Sequence, residues 1–213
     1  MRGLLITLEG PEGAGKTTQA LRLKAYLEAR KIPVIHTREP GGTPIGDRIR
    51  EILLDPQASE MSLRAEILLY AASRAQLVDQ LIRPALKAGK TVICDRYVDS
   101  SIVYQAYGAE GDHEEVVEVN RMATGALVPD RTYLLDLPLE EGDRRLKERG
   151  SRKDRMELKE AAFHQRVREG FLKLAQKAPE RFCVLDATEA PDQVFQRITG
   201  DLTKLQHGGS DLK

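Results

Sequence analysis

The residues with the most obvious chemistry stand together near the start of the chain: Gly10-Pro11-Glu12-Gly13-Ala14-Gly15-Lys16-Thr17, followed by Thr18. Two glycines separated by four residues, then Lys and Thr, form a pattern in which backbone N–H groups curl around a phosphate. In such a loop Lys16 reaches the β- and γ-phosphates, and the Thr17 hydroxyl holds Mg²⁺. The helix expected from about Thr18 adds its positive N-terminal end. A strand before the loop and a helix after it count against a merely flexible glycine turn.

Those elements follow from hydrophobic spacing. Short apolar runs bounded by turn signals occur at Leu4 to Leu8, Val34 to Thr37, Thr91 to Cys94, Thr132 to Leu137 and Phe182 to Leu185. Helical-period segments separate them: Ala20, Leu23 and Leu27; Ile67, Ala71, Val78 and Ile82; Phe163, Val167, Phe171 and Leu174. Alternating strand and helix predicts an α/β fold, a five-stranded parallel sheet with helices on both faces. Gly89 is placed to end the helical stretch before the third strand.

The 213 residues carry 33 Lys+Arg against 33 Asp+Glu, with 41% hydrophobic and 31% charged residues. Zero net charge counts against a nucleic-acid polymer as partner, which calls for a basic excess. The hydrophobic content counts against a disordered chain. No run of about 18 apolar residues is available to span a bilayer, and Met1-Arg2-Gly3 leads straight into Leu4-Leu5-Ile6 rather than into a cleavable signal. The expectation is one cytoplasmic domain over 1–213, with a frayed tail from about 207 to 213. Cys94 and Cys183 each sit in an apolar run and read as free thiols, and the four histidines lack zinc-ligand spacing.

A phosphate loop alone does not define a reaction, because switches, motors and kinases share it. The chain has no Asn-Lys pair from which to build a guanine-reading segment. Its candidate strands end in Asp95-Arg96 and Asp136-Leu137 rather than in a water-polarising Asp-Glu. Phosphoryl transfer to a bound acceptor is then the better reading. An acceptor with its own phosphate needs cations at strand ends outside the loop; Arg38 and Arg96 are so placed, although either alone reads equally well as a structural ion pair.

At this point the chain resembles the thymidylate kinases, P-loop enzymes that pass the γ-phosphate of ATP to dTMP. The likeness rests on Glu9 through Thr17, Arg38-Glu39-Pro40-Gly41-Gly42, Asp95-Arg96-Tyr97 and Asp154-Arg155-Met156-Glu157. The resemblance implies that Glu12 lies near the acceptor's 3′-hydroxyl and phosphate end. It further implies that Arg38 and Arg96 bind the dTMP phosphate, a task suited to a planar guanidinium, and that Asp95 is an outer-sphere partner of Mg²⁺. Tyr70 and Arg74, four apart and so on one helical face, would stack on thymine and donate to its O4. Ser101 would sit at the N3 edge, Tyr104 under the deoxyribose and Gln105 near the base. Asp99-Ser100-Ser101 reads equally well as a helix cap. Relatives are commonly homodimers.

The last expected part is a small mobile lid at about 142–157. Arg144 to Arg155 holds seven basic and two acidic residues, hence +5. Arg144, Arg145 and Lys147 read as a solvated helix face. Arg149, Arg152, Lys153 and Arg155 straddle Gly150-Ser151, a hinge-like break. The phosphate loop itself has Gly13-Ala14 where some thymidylate kinases place an arginine. By resemblance to the bacterial branch, Arg149 and Arg155 are the favoured residues to close over ATP and exclude water. The function expected is therefore Mg²⁺-dependent transfer from ATP to dTMP. A kinase of another nucleoside monophosphate, or a nucleotide-dependent switch, stays open on the residues alone.

Overall fold

A computed structural model describes residues 2–150 and 153–208. Five strands, β1 (Leu5–Glu9), β2 (Val34–Arg38), β3 (Thr91–Asp95), β4 (Arg131–Asp136) and β5 (Phe182–Asp186), form one all-parallel sheet in the order β2-β3-β1-β4-β5. Every residue of β1 and β3 is buried, which is why these two strands read as mostly apolar rather than alternating. Helix α1 (Lys16–Ala29) and helix α9 (Pro191–Gly208) cover one face, where Leu8, Leu23, Leu27, Ile198 and Leu202 pack together. The other face is covered by α3 (Leu63–Leu77), with the turn that follows it, and α8 (Ala161–Lys177); these bring Leu77 and Val78 against Leu5, and Phe163, Val167 and Phe171 against Leu134.

Local chemistry explains the helix starts. The Thr43 hydroxyl accepts from the Gly46 N–H (3.0 Å) to cap α2 (Pro44–Leu54), whose first residue is a proline with no N–H to leave unsatisfied. Ser62 caps α3 in the same way. The helical stretch expected to end at Gly89 is interrupted by a π-helical turn, Val78–Ile82, just before Pro84 in α4 (Arg83–Lys87). A proline supplies no N–H to the ladder, so the register must widen there. Gly89 follows at φ 75°, as expected of a helix-ending glycine.

After β3 come α5 (Val98–Ser101), a second π-helical segment, Ile102–Gly108, and α6 (His113–Thr124). The Asp99-Ser100-Ser101 stretch lies inside α5 and not at its cap. The expected lid region comprises the later part of α7 (Leu139–Arg149) and the turn that follows; Ser151 and the candidate Arg152 lie outside the described residues. The expected frayed tail begins inside α9, and 209–213 lie outside the described residues. Cys94 and Cys183 are free thiols. Among the described residues no helix is long and apolar enough to cross a membrane.

Candidate active site

The carboxyl ends of β1, β2 and β3 lie side by side, with Leu8 in register with Asp95 and Arg38 with Asp95. In an open parallel sheet this edge is where ligands bind, and here it floors a cleft of about 470 Å³. That volume falls within the range of small-molecule sites.

The phosphate loop turns directly out of β1. Gly10 has φ 141°, and a Cβ there would come within 2.3 Å of the Leu135 carbonyl oxygen. Gly15, at φ 86°, has nothing within 4 Å of where its Cβ would be, so the loop keeps open space beside its N–H groups. The Lys16 ammonium donates to the carbonyls of Gly10 (2.9 Å) and Pro11 (2.6 Å). Burial, and then the nearby Arg96 charge, bring the Lys16 pKa down to about 8. The Thr17 hydroxyl donates to Asp95 at the end of β3.

Arg96 takes a left-handed φ of 70°, a backbone conformation that costs energy for a side chain with a Cβ. Its guanidinium donates to the Gly10 carbonyl and the Ser100 hydroxyl, both at 3.1 Å, and to the Glu12 carboxylate. Tyr104 also donates to Glu12 (3.0 Å), and the Arg96 guanidinium lies over the Tyr104 ring. Burial opposes the Glu12 charge, but Arg96 and Lys16 outweigh it and hold this carboxyl below the usual range. Beneath them, the side-chain oxygens of Glu9 accept from the Tyr97 N–H (2.7 Å) and the Ser100 hydroxyl (2.6 Å). Burial, with Asp99 nearby, pushes the Glu9 carboxyl up to about 8. Arg38, on the β2 end, is exposed with Asp47 3.9 Å away; Arg50 of α2 also lines the cleft.

The other end of the cleft is drier. Tyr70, Arg74, Ser101, Tyr104 and Gln105 all line it. Arg74 is only 1% exposed. Its Nε and one terminal nitrogen reach Glu39 (2.7 and 2.5 Å), and its remaining N–H groups go to the Ser101 hydroxyl (2.9 Å), the Asn120 side chain and the Tyr97 carbonyl (3.2 Å). All five of its N–H groups are thus directed at protein acceptors, so the expected contact to a base O4 would require one of them to change partner. The wide π turn also alters which side chains share a face. Ser101 ends α5, and in the segment after it, bonded at i→i+5, Tyr104 and Gln105 both reach the cleft beside it.

Arg155 departs most from expectation. It does not line the cleft; its Nε donates to the Leu53 carbonyl (2.7 Å) and one terminal nitrogen pairs with Glu66 (2.7 Å). Arg149 does line the cleft and bonds Glu157 (2.8 Å). Arg145, read from sequence as solvated, lines it as well. The reason is local: Gly142 packs against the phosphate loop so closely that a Cβ there would be 2.9 Å from the Glu12 carbonyl oxygen. Residues three and seven positions further along α7 share that face, and this spacing was the available signal for Arg145. Asp154 and Glu157, named from sequence only as members of a family motif and given no role, also line the cleft.

A parallel sheet, a phosphate loop on its central strand and a basic strand-end cleft define a P-loop phosphotransferase. A family model described as thymidylate kinase matches residues 8–198. The chain is 50% identical to the thymidylate kinase of Exiguobacterium sibiricum over 202 residues, 95% of each chain. It is also 50% identical to that of Deinococcus radiodurans over 206 residues, 97% of this chain and 99% of the relative. The chain belongs to the thymidylate kinase family, and it is a nucleoside monophosphate kinase with ATP as phosphoryl donor.

Proposed function

We propose that this cleft transfers the γ-phosphoryl group of ATP to the 5′-phosphate of dTMP, giving dTDP and ADP, with the residues in the following roles. A dTMP phosphate oxygen attacks the γ-phosphorus as the bond to the ADP oxygen breaks. Little covalent help is needed, so the protein's work is alignment and charge neutralisation. The observation that carries the reading is the convergence of Lys16, Arg38 and Arg96 from three strand ends on one cleft that also holds Tyr70 and Gln105.

In this reading residues 10–18 hold the ATP phosphates and Lys16 follows the transferred group. Arg38 and Arg96 bind the dTMP phosphate, Arg96 exchanging its Glu12 partner for a dianion. Glu12, once released, faces the sugar end, with Tyr104 beneath the deoxyribose. Tyr70 stacks on the base, while Ser101 and Gln105 read its edge and Arg74 backs them. Thr17 and Asp95 are hard oxygen donors brought into contact with each other, a donor set that fits Mg²⁺. The ion, when bound there, neutralises charge on the phosphate oxygens. Arg149, and with it Arg145, closes over ATP from a lid at about 142–157 that belongs to a single domain. The protein works in the cytoplasm as a homodimer; the apolar side chains exposed on α3 and α6, Leu68 and Met122, suit such an interface.

A coupled ADP-release assay with dTMP, dUMP, dCMP and dGMP tests this. Preference for dTMP is expected. Preference for a purine, or ATP hydrolysis indifferent to dTMP, would overturn it.

A further inference from the structure

Gln105 is 1% exposed and lines the base end of the cleft. Its Nε2 donates to one oxygen of Glu66 (2.8 Å), while its Oε1 is buried without a hydrogen-bond partner. A side-chain amide is two-faced, and which face it shows is set by its fixed neighbour. A carboxylate only accepts, so Glu66 must take the N–H₂ side, and the oxygen is the amide atom left unpaired in a residue that lines the cleft. The other Glu66 oxygen takes Arg155 (2.7 Å). Arg155 is in turn tied to the end of α2 twice, by its side chain to Leu53 and by its backbone N–H to Leu54. The chain of contacts runs from the turn after α7, through Arg155 and Glu66, to one amide in the cleft.

We propose that Glu66, braced by Arg155, is a positioning residue for pyrimidine recognition. By taking the Gln105 N–H₂ it fixes Oε1 as an acceptor for the N3–H of a neutral 4-oxo pyrimidine. An unpartnered buried oxygen is costly until such a donor arrives. A base with an acceptor at N3, such as cytosine, leaves it unpaired and sets two lone pairs against each other. Sites built around a required hydrogen bond reject analogues lacking it far more strongly than apolar pockets do. This rests on the dTMP reading of the cleft and adds to it the device that sets the amide's orientation.

The variant Glu66→Gln tests the device because its consequence is an inversion rather than a simple loss. Arg155 can only donate, so the single carbonyl oxygen of the new amide goes to Arg155 and its N–H₂ turns toward Gln105. Gln105 then satisfies it with Oε1 and presents Nε2 to the cleft. Steady-state rates with dTMP and dCMP, alongside thermal melting, are the measurements. We expect the dTMP over dCMP preference in kcat/KM to fall by about tenfold or more through a raised dTMP KM, with the ATP KM unchanged. In a Gln105→Ala background the same substitution is expected to have no effect on preference. Should Glu66→Gln fail to fold, Glu66→Asp, which keeps the charge for Arg155 but draws back from Gln105, is expected to give a smaller loss in the same direction. An unchanged preference in the folded variant, or an equal change in the Gln105→Ala background, overturns the inference. Wild-type protein that does not turn over dTMP at all would overturn the underlying reading instead.

Discussion

The two ends of the cleft hold their cations in opposite ways. At the phosphate end, Lys16 rests on backbone carbonyls and Arg96 divides its donors among a carbonyl, a hydroxyl and one carboxylate. A polyphosphate competes easily for partners of that kind. At the base end, Arg74 is buried against Glu39, and behind the cleft wall Arg155 is buried against Glu66. Charges paired in this way do not exchange without leaving a carboxylate stranded. One end is therefore built to trade partners during the reaction, and the other to hold a fixed template against which a neutral base is read.

The largest effects that could break this contrast lie at the base end. Arg74→Ala strands the Glu39 carboxylate, already pushed upward by burial, and is expected to destabilise the fold by about 3–5 kcal/mol. In a protein of this size that lowers the melting temperature by roughly 10 °C. A melt within a degree or two of wild type would show the base end to be as exchangeable as the phosphate end.

At the phosphate end the expectation reverses. Lys16→Ala should cost about 10²–10³ in kcat, the scale of removing one preorganised donor to developing charge, with the melting temperature near wild type. Activity retained in a well-folded variant would remove Lys16 from the transferred group, and a collapse of stability would make it structural. Arg149→Ala should be milder, about tenfold in kcat with little change in melting, because its side chain is half exposed and bonded to Glu157. No kinetic change would return the lid role to Arg145 alone.

The same contrast explains what sequence could and could not disclose. The strand cores were legible because the middles of β1 and β3 are mostly apolar and wholly buried. Four strands nonetheless run one residue past the apolar run, to Glu9, Arg38, Asp95 and Asp186; each added residue is charged and so falls outside a hydrophobic pattern. Two of these four, Arg38 and Asp95, line the cleft and Glu9 is buried beneath its phosphate loop, so the rule that finds the strands trims off their chemistry. The phosphate end was legible because one contiguous loop makes it. The lining of the base end was named only through the family resemblance, and its partners were not legible: Arg74 meets Glu39 across 35 positions and Asn120 across 46, and nothing local encodes such partners. Arg155 misled for the same reason, since a basic run after a hinge-like glycine carries no sign that one of its members is buried against α3.

The smallest expected effect is a pH dependence that separates two neighbours. Lys16 is depressed to about 8 by burial and Arg96, so in the free protein it loses its proton as pH rises through 8. Phosphate binds the charged form, so kcat/KM for ATP should fall with rising pH, by about twofold between pH 7 and pH 8 on a single titration at that value. Glu9 also titrates near 8, but in the opposite sense for this purpose. Its ionisation places a negative charge near Lys16 and favours the ammonium form. Glu9→Gln should therefore keep the falling limb, or shift it slightly to lower pH, if Lys16 is the group responsible. It should also flatten a second profile. A carboxyl whose pKa is raised on folding contributes stability that is full below the unfolded value near 4.5 and is lost as pH rises through about 8. A falling ATP limb that vanishes in Glu9→Gln would assign the titration to the carboxyl beneath the loop. The phosphate end would then owe its exchangeability to Glu9 rather than to the lysine it surrounds.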